Sequence, residues 1–343
     1  MRWPCIRTPT PSGRIGSGTC PCRLPVWVVA RTDGVEVVTF YRFAPLEDPQ
    51  ALQREVHAQA EQSGLKGTVL IAREGINGTL AGEGDSLGAF AAWLGRLEPF
   101  AEMEFKYSTA APDNRVFYRL KIKVKDEIVG FGRRPVDPAL RTGERVDAAR
   151  WNQLLEDPDV LVVDTRNDYE VSIGSFPESI NPGTRSFREF AGFVSERLDP
   201  ARQPRIAMYC TGGIRCEKAS AYLLDQGFEQ VYQLEGGILK YLETVAPQDN
   251  RWHGECFVFD QRVSVDQALE QGSFEQCFAC RHPLSPEDRA SEHYRLGVSC
   301  PHCIQDLSPV RAAAFEERNR QVAIAQRRGA DHIGAQGPDM PGD

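Results

Sequence analysis

Arg205-Ile-Ala-Met-Tyr-Cys-Thr-Gly-Gly-Ile-Arg-Cys-Glu-Lys-Ala-Ser-Ala-Tyr-Leu-Leu, residues 205–224, holds the element on which the fold turns. Its apolar run Arg205 to Tyr209 reads as a strand, and Glu217 to Gln226 reads as an amphipathic helix. The loop of small residues between them opens with Cys210, at a helix N-terminus where unpaired backbone N–H groups lower a thiol pKa. Gly212 and Gly213 let that backbone curl around an anion, and Arg215 brings a positive charge close by. Thr211, Ile214 and Cys216 complete the loop. A strand-end cysteine can also be a buried packing residue, but packing alone asks for neither the paired glycines nor the arginine.

Cys210 to Arg215 spans Cys-x4-Arg, shorter than the Cys-x5-Arg ring with which cysteine phosphatases surround a phosphate, so a phosphatase is the weaker reading. Strand, Cys-x4-Arg and helix together resemble the rhodanese superfamily, in which the cysteine carries a persulfide sulfur. Upstream, Val160-Leu-Val-Val-Asp-Thr-Arg-Asn-Asp-Tyr-Glu reads as a buried parallel strand ending in Asp164 and Arg166. It resembles the rhodanese Asp-x-Arg element. The pair could be a surface ion pair; a role in bracing the loop is favoured. Where many rhodaneses continue Gly-His-Ile-Pro-Gly-Ala, this chain has Gly174-Ser-Phe-Pro-Glu-Ser-Ile-Asn-Pro, and no histidine stands near the thiol in sequence.

The 343 residues allow two or three domains, and 41% hydrophobic with 26% charged residues is ordinary for a globular protein. No apolar run approaches the roughly 18 residues needed to cross a bilayer. A net charge of -8 argues against indiscriminate nucleic-acid binding, which leaves local basic surfaces to make any RNA contact. Residues 105–125 form one, with Lys106, Arg115, Arg119, Lys121, Lys123 and Lys125 against Asp113. The ten cysteines are placed as Cys-x2-Cys pairs and loop neighbours rather than as a disulfide framework, which implies a reducing, cytoplasmic setting. Residues 1–34, with five arginines and a short apolar stretch from Leu24 to Ala30, read as a disordered extension or an unused upstream start, with a transit peptide as the alternative.

From residue 35 to 134 the pattern predicts β-α-β-β-α-β, the ferredoxin-like plan of an open antiparallel sheet with helices on one face. Its strands are expected at Val35 to Phe43, Leu65 to Ala72, from Gly75, at Glu102 to Tyr107 and at Phe117 to Val124. A helix is expected over Asp48 to Ser63, and a second one capped by Asp85 and running through Leu97. The sheet's free face is a candidate RNA platform. In Leu120-Lys-Ile-Lys-Val-Lys, a period of two puts Lys121, Lys123 and Lys125 on one side, beside Arg119. Lysines also guard edge strands against aggregation, and both readings stand.

Pro135 to Arg145 reads as a linker, and alternating strands and helices over 146–250 imply a doubly wound parallel sheet with its catalytic loops at the strands' carboxyl ends. Glu235-Gly-Gly-Ile reads as a turn whose glycines allow close packing near the Cys210 loop. In 251–328, Cys277-x2-Cys280 and Cys300-x2-Cys303, separated by 19 residues, fit a structural zinc site. Too little core lies between them to fold without metal. His302 reads as a surface residue and Cys256 as a bystander, with Trp252 to Asp260 a packed strand docking the element on the parallel sheet. A basic helix follows over Pro309 to Arg328, and 329–343 reads as a disordered tail.

Gly75-Ile-Asn-Gly-Thr, Asp164-Thr-Arg-Asn-Asp-Tyr-Glu, Asn181-Pro-Gly-Thr, Tyr209-Cys-Thr-Gly-Gly-Ile-Arg-Cys-Glu-Lys and Gln233-Leu-Glu-Gly-Gly-Ile together resemble the rhodanese-related tRNA uridine hydroxylases, the TrhO family, over roughly residues 35–305. That resemblance implies an acylphosphatase-like first domain. It also implies a tRNA partner and conversion of the wobble uridine to 5-hydroxyuridine with molecular oxygen as co-substrate and Cys210 as a persulfide-type reactive centre. Arg215 and the loop amides would stabilise the sulfur anion. Cys216 would resolve an intermediate as a disulfide, or simply pack the first helical turn. Neither DNA nor a membrane is expected as partner, and the oligomeric state is left open. The chain carries no Rossmann fingerprint, haem motif or two-histidine iron site, so the electron donor has no candidate. A plain rhodanese-type sulfurtransferase and a non-catalytic RNA-binding scaffold are the rival readings.

Overall fold

The computed structural model describes residues 35–110, 116–132 and 136–329. The expected extension over 1–34, the tail from residue 330 and Arg115 of the basic run lie outside the described residues. The first module is built from Val35–Phe43 (β1), Pro49–Gln62 (α1), Lys66–Ala72 (β2), Gly75–Gly82 (β3), Gly84–Leu94 (α2), Phe105–Ala110 (β4) and Leu120–Val124 (β5). Asp48 caps α1 by accepting from the Ala51 N–H at 2.9 Å, with Pro49 in the first turn. Val56 and Ala60 are buried four residues apart, against Val38, Phe40, Val69 and Ile71 of the sheet.

Asp85 does not cap α2. Glu83 holds the N-cap position and Asp85 sits in the first turn, where its charge still suits the helix dipole. The helix stops at Leu94 rather than Leu97, ahead of Gly95 and Pro99. β4 and β5 both start three residues later than expected. The sheet runs β4-β1-β3-β2-β5, and β5 joins it parallel to β2, so the sheet is not purely antiparallel. Cross-strand partners give one row from Lys121 through Thr68, Thr79 and Thr39 to Lys106, and a second from Lys123 through Leu70 and Asn77 to Tyr41. These rows lie on the face opposite the helices. That face is not free: at β1 and β4 it meets the second module through Tyr41 and Lys106, while Lys121 and Lys123 of β5 stay exposed.

The second module begins inside the expected linker, with Glu144–Val146 (β6), followed by Ala148–Glu156 (α3), Leu161–Asp164 (β7), Asp168–Val171 (α4), Gly174–Ser175 (β8), Phe190–Arg197 (α5), Arg205–Tyr209 (β9), Ile214–Asp225 (α6), Gln230–Leu234 (β10) and Gly237–Thr244 (α7). β6, β10, β9 and β7 form a sheet in that order, every neighbouring pair parallel. Alternation along β9 feeds two cores. Ala207 and Tyr209 pack with Trp151, Ile238, Tyr241 and Trp252 on one face; Ile206 and Met208 pack with Phe187, Phe190, Tyr222 and Leu223 on the other.

The modules are tied together. Phe131, which follows the first sheet, inserts its ring against Phe187 at 5.1 Å and Tyr222 at 5.3 Å. The buried Lys218 ammonium contacts Glu74 at 2.9 Å and Glu127 at 2.7 Å, and donates to the Val129 carbonyl at 3.0 Å.

The expected strand from Trp252 is broken in two. His253–Gly254 (β11) pairs with β8, and Cys256–Phe257 (β12) pairs with Ser264–Val265 (β13). Between them the chain turns at Gly254, whose φ of 81° is left-handed, and the Glu255 carboxylate accepts from Ser264 and Ser273. Trp252 and Cys256 nonetheless dock in the parallel sheet's core. Glu275–Gln276 (β14) and Pro283–Leu284 (β15) form a hairpin, followed by Pro286–Ala290 (α8) and Pro309–Arg327 (α9). Among the described residues no helix is long and apolar enough to cross a membrane.

Candidate active site and metal centre

Cys210 follows the last residue of β9, at the carboxyl end of the parallel sheet. The chain turns back through Gly213, whose φ of 98° lies in the left-handed region that favours glycine, and enters α6 at Ile214. The Gly213 N–H donates to Cys210 Sγ at 3.1 Å. From behind, α7 approaches so closely that a Cβ on Gly237 would stand 2.4 Å from the Cys210 carbonyl oxygen. Its amides clamp the loop: Ile238 donates to the Cys210 carbonyl at 3.0 Å and Leu239 to the Thr211 carbonyl at 3.1 Å.

Burial by itself would push the Cys210 thiol up. It is outweighed by a hydrogen bond from the Cys216 thiol, the Arg215 charge and the amides of Cys216 and Arg215, which together bring Cys210 down to about 5. Cys216 moves the opposite way, pushed well up by burial and by its bond to, and repulsion from, the Cys210 sulfur. The opposite shifts favour a thiolate on Cys210 over one on Cys216, whose sulfur also lies 3.6 Å from Thr165 Oγ1.

Arg215 is not a free cation. Its guanidinium makes two bonds of 2.7 Å to the carboxylate of Glu170, a residue sequence reasoning did not single out. Burial would raise the Glu170 carboxyl, but Arg215, and behind it Arg166, hold it below the ordinary range. The available signal was the Asn167-x-x-Glu170 spacing at the start of α4, where the Glu170 carboxylate accepts from the Asn167 N–H at 3.0 Å. Asp164 and Arg166 form a fully buried pair at 2.6 Å. Arg166 also donates to the carbonyls of Glu170 at 3.2 Å and Gly174 at 2.6 Å, and lies over the Trp252 ring. The pair braces the Glu170 segment instead of lying on the surface. Cys256 is buried nearby, its thiol pushed up to about 12 mainly by burial, so it stays protonated.

Two further residues come from the first module. Lys106 Nζ donates to the carbonyls of Gly212 at 3.0 Å and Gly236 at 3.2 Å, and burial lowers its pKa. Tyr41 sets its hydroxyl against Gly213 and 3.4 Å from Glu217, whose carboxylate also binds Arg145 at 2.8 Å. Arg145, expected in a linker, thus belongs to the second module's polar network. Under this cover Cys210 is only 1% exposed. Beside the Arg215 guanidinium, Phe259 is 63% exposed, its ring 5.7 Å from the guanidinium carbon.

Arg119, Lys121, Lys123 and Lys125 are exposed on or beside the edge strand β5 and do not join the cysteine loop. Burial, then Arg119, Lys123 and Arg281, lower the Lys121 pKa. Cys277, Cys280, Cys300 and Cys303 converge, their sulfurs all within 4.8 Å of one another. Around a tetrahedral zinc with bonds of about 2.3 Å, sulfurs stand about 3.8 Å apart. The Cys280–Cys300 and Cys300–Cys303 separations are 3.7 and 3.6 Å. These residues fit, and could hold, a metal ion such as zinc. His302 stays outside the quartet, stacked on His282 at 3.9 Å and 3.2 Å from Asp288.

Two family models match the chain: the UPF0176 acylphosphatase-like domain over residues 35–128 and the rhodanese-like domain over residues 147–244. Among solved structures the chain is similar to a rhodanese-like domain from Anabaena sp., at 22% identity over 33% of this chain and 80% of that one, with a TM-score of 0.27. It is also similar to a rhodanese-related protein from Thermoplasma volcanium, at 24% identity over 30% and 95%, with a TM-score of 0.24. An acylphosphatase from Coxiella burnetii matches at 17% identity over 26% and 92%, with a TM-score of 0.20. An acylphosphatase-like module followed by a rhodanese-like one is the architecture of the rhodanese-related UPF0176 (TrhO) family, and the chain belongs to it.

Proposed function

We propose that this protein is a cytoplasmic tRNA-modifying oxidoreductase that hydroxylates the wobble uridine to 5-hydroxyuridine, with Cys210 as its reactive sulfur. The observation that carries this reading is the Cys210 sulfur at the mouth of a six-residue loop, accepting from the Gly213 amide at 3.1 Å, with its pKa lowered by Cys216, Arg215 and the loop amides. Arg215 and the loop amides stabilise the anion, or a persulfide formed on it, while Glu170 fixes the guanidinium in place. Asp164 and Arg166 position the segment that carries Glu170. Placing one atom of molecular oxygen on uracil C5 sends the other to water, which takes two electrons and two protons from an external donor. Cys210 is almost fully buried, so uridine entry requires the residues around its loop to part. The cysteine quartet holds a structural zinc that supplies the core the C-terminal element lacks. Arg119, Lys121, Lys123 and Lys125 offer phosphate contacts.

The test is nucleoside mass spectrometry of tRNA from cells carrying the wild-type gene, a deletion, or Cys210→Ser. 5-Hydroxyuridine should vanish in the last two; unchanged levels with Cys210→Ser would leave a non-catalytic RNA-binding scaffold as the reading. A rhodanese-type sulfurtransferase is favoured by the match of the second module alone. It predicts sulfur transfer from Cys210 to cyanide or a protein thiol with no tRNA-dependent product.

A further inference from the structure

Between the edge strand β5 and the cysteine quartet lies a cleft of ≈ 250 Å³ whose walls include Phe117, Arg119, Lys121, Gln261, Phe278 and Arg281. Among the described residues no carboxylate lines it, although the chain carries a net charge of -8. Among the described residues none of its three cations is paired with an acid. Arg281 lies 5.9 Å from the ring of Phe278, which is 37% exposed between two of the metal-site cysteines. Cations beside open aromatic faces are what a single nucleic-acid strand needs: charge for its phosphates and rings for its bases. A duplex hides its base faces in the stack and cannot use the rings. Gln261 stands two residues from Phe259, the exposed ring beside Arg215, so one short segment, Phe259 to Gln261, links the cleft to the catalytic loop.

We infer that this cleft holds an unpaired RNA strand, its phosphates on Arg119, Lys121 and Arg281 and a base on Phe278, with Phe259 as a second stacking platform beside Arg215. The inference rests on the tRNA reading above and adds to it a binding surface made jointly by the first module and the metal-bearing element. It gives the cysteine quartet a second consequence: the metal fixes the wall that carries Phe278 and Arg281.

Fluorescence anisotropy with a labelled oligouridylate, a paired RNA hairpin and whole tRNA tests it on the full-length, zinc-loaded chain. Each wall is altered separately, Arg119→Ala with Lys121→Ala on one side and Phe278→Ala with Arg281→Ala on the other, and Phe259→Ala is made alone. Metal content and melting temperature report on folding, and the first pair lies outside the metal element. Wild type should bind oligouridylate more tightly than the hairpin. Either wall variant should weaken that binding about five- to hundredfold. Its log–log salt slope should flatten by about 0.7 for each cation removed. If wild type binds tRNA but both wall variants bind oligouridylate as wild type does, or the hairpin is preferred, the cleft assignment is overturned while the tRNA reading stands. If wild type binds neither tRNA nor oligouridylate, both fall.

Discussion

Removing the Cys216 thiol should raise the pKa of Cys210. Once burial is set aside, the hydrogen bond from Cys216 is the largest of the influences that carry Cys210 from an ordinary thiol value of 9.0 to about 5. That interval corresponds to roughly 5 kcal/mol in favour of the thiolate, at 1.36 kcal/mol per pKa unit. A hydrogen bond to a charged group contributes about 1.5–3 kcal/mol, so Cys216→Ala should raise the Cys210 midpoint by roughly one to two units. Cys216→Ser keeps a donor and should stay nearer the wild-type value. The readout is the ultraviolet absorbance of thiolate, recorded against pH as the difference between each protein and its Cys210→Ser counterpart. A Cys216→Ala midpoint that remains near 5, or a wild-type midpoint at 8 or above, would refute the argument. Stability follows with a definite sign. Between pH 5 and 9 the unfolded chain binds the proton that the folded thiolate refuses, so stability rises with pH across that window and is lost as pH falls through 5.

Glu170→Gln should destabilise the fold by about 3–5 kcal/mol, because it leaves the buried Arg215 guanidinium without its counter-charge; a denaturant midpoint equal to wild type would contradict this. Lys106→Ala removes the two bonds from Lys106 to the Gly212 and Gly236 carbonyls, and iodoacetamide labelling of Cys210, followed by peptide mass spectrometry, should speed up about tenfold. An unchanged rate would mean the thiol is reached another way. Chelation should release one zinc ion per chain and increase hydrogen exchange across 277–303 while the amides of β9 and β10 stay protected; protection lost throughout would show that the metal supports the whole molecule.

The sequence made legible those parts of the site that are local in the chain. Cys210, its glycines and Arg215 fall within six consecutive residues, and the cysteine quartet announces itself by spacing. The partners that complete the site come from afar. Glu170 reaches Arg215 across 45 residues, and Lys106 reaches Gly212 across 106. Nothing in a strand's alternation says which outward side chain will meet another module. β6 escaped notice because three residues, two of them charged, are too short for a period to show, and pairing with β10 supplies what local propensity does not. The break in the run from Trp252 falls at Gly254, whose left-handed φ of 81° a single glycine in a strand pattern permits without requiring.

The position of Lys218 bears on how the gene can be cut. Its ammonium belongs to the helix that follows Cys210, yet both acids that neutralise it, Glu74 and Glu127, are encoded upstream of the rhodanese-like segment. An excised rhodanese half would thus carry an orphaned charge next to a vacated Phe131 socket. It would precipitate or refold around water, so activity missing from such a fragment would report the amputation and not the chemistry of its sulfur.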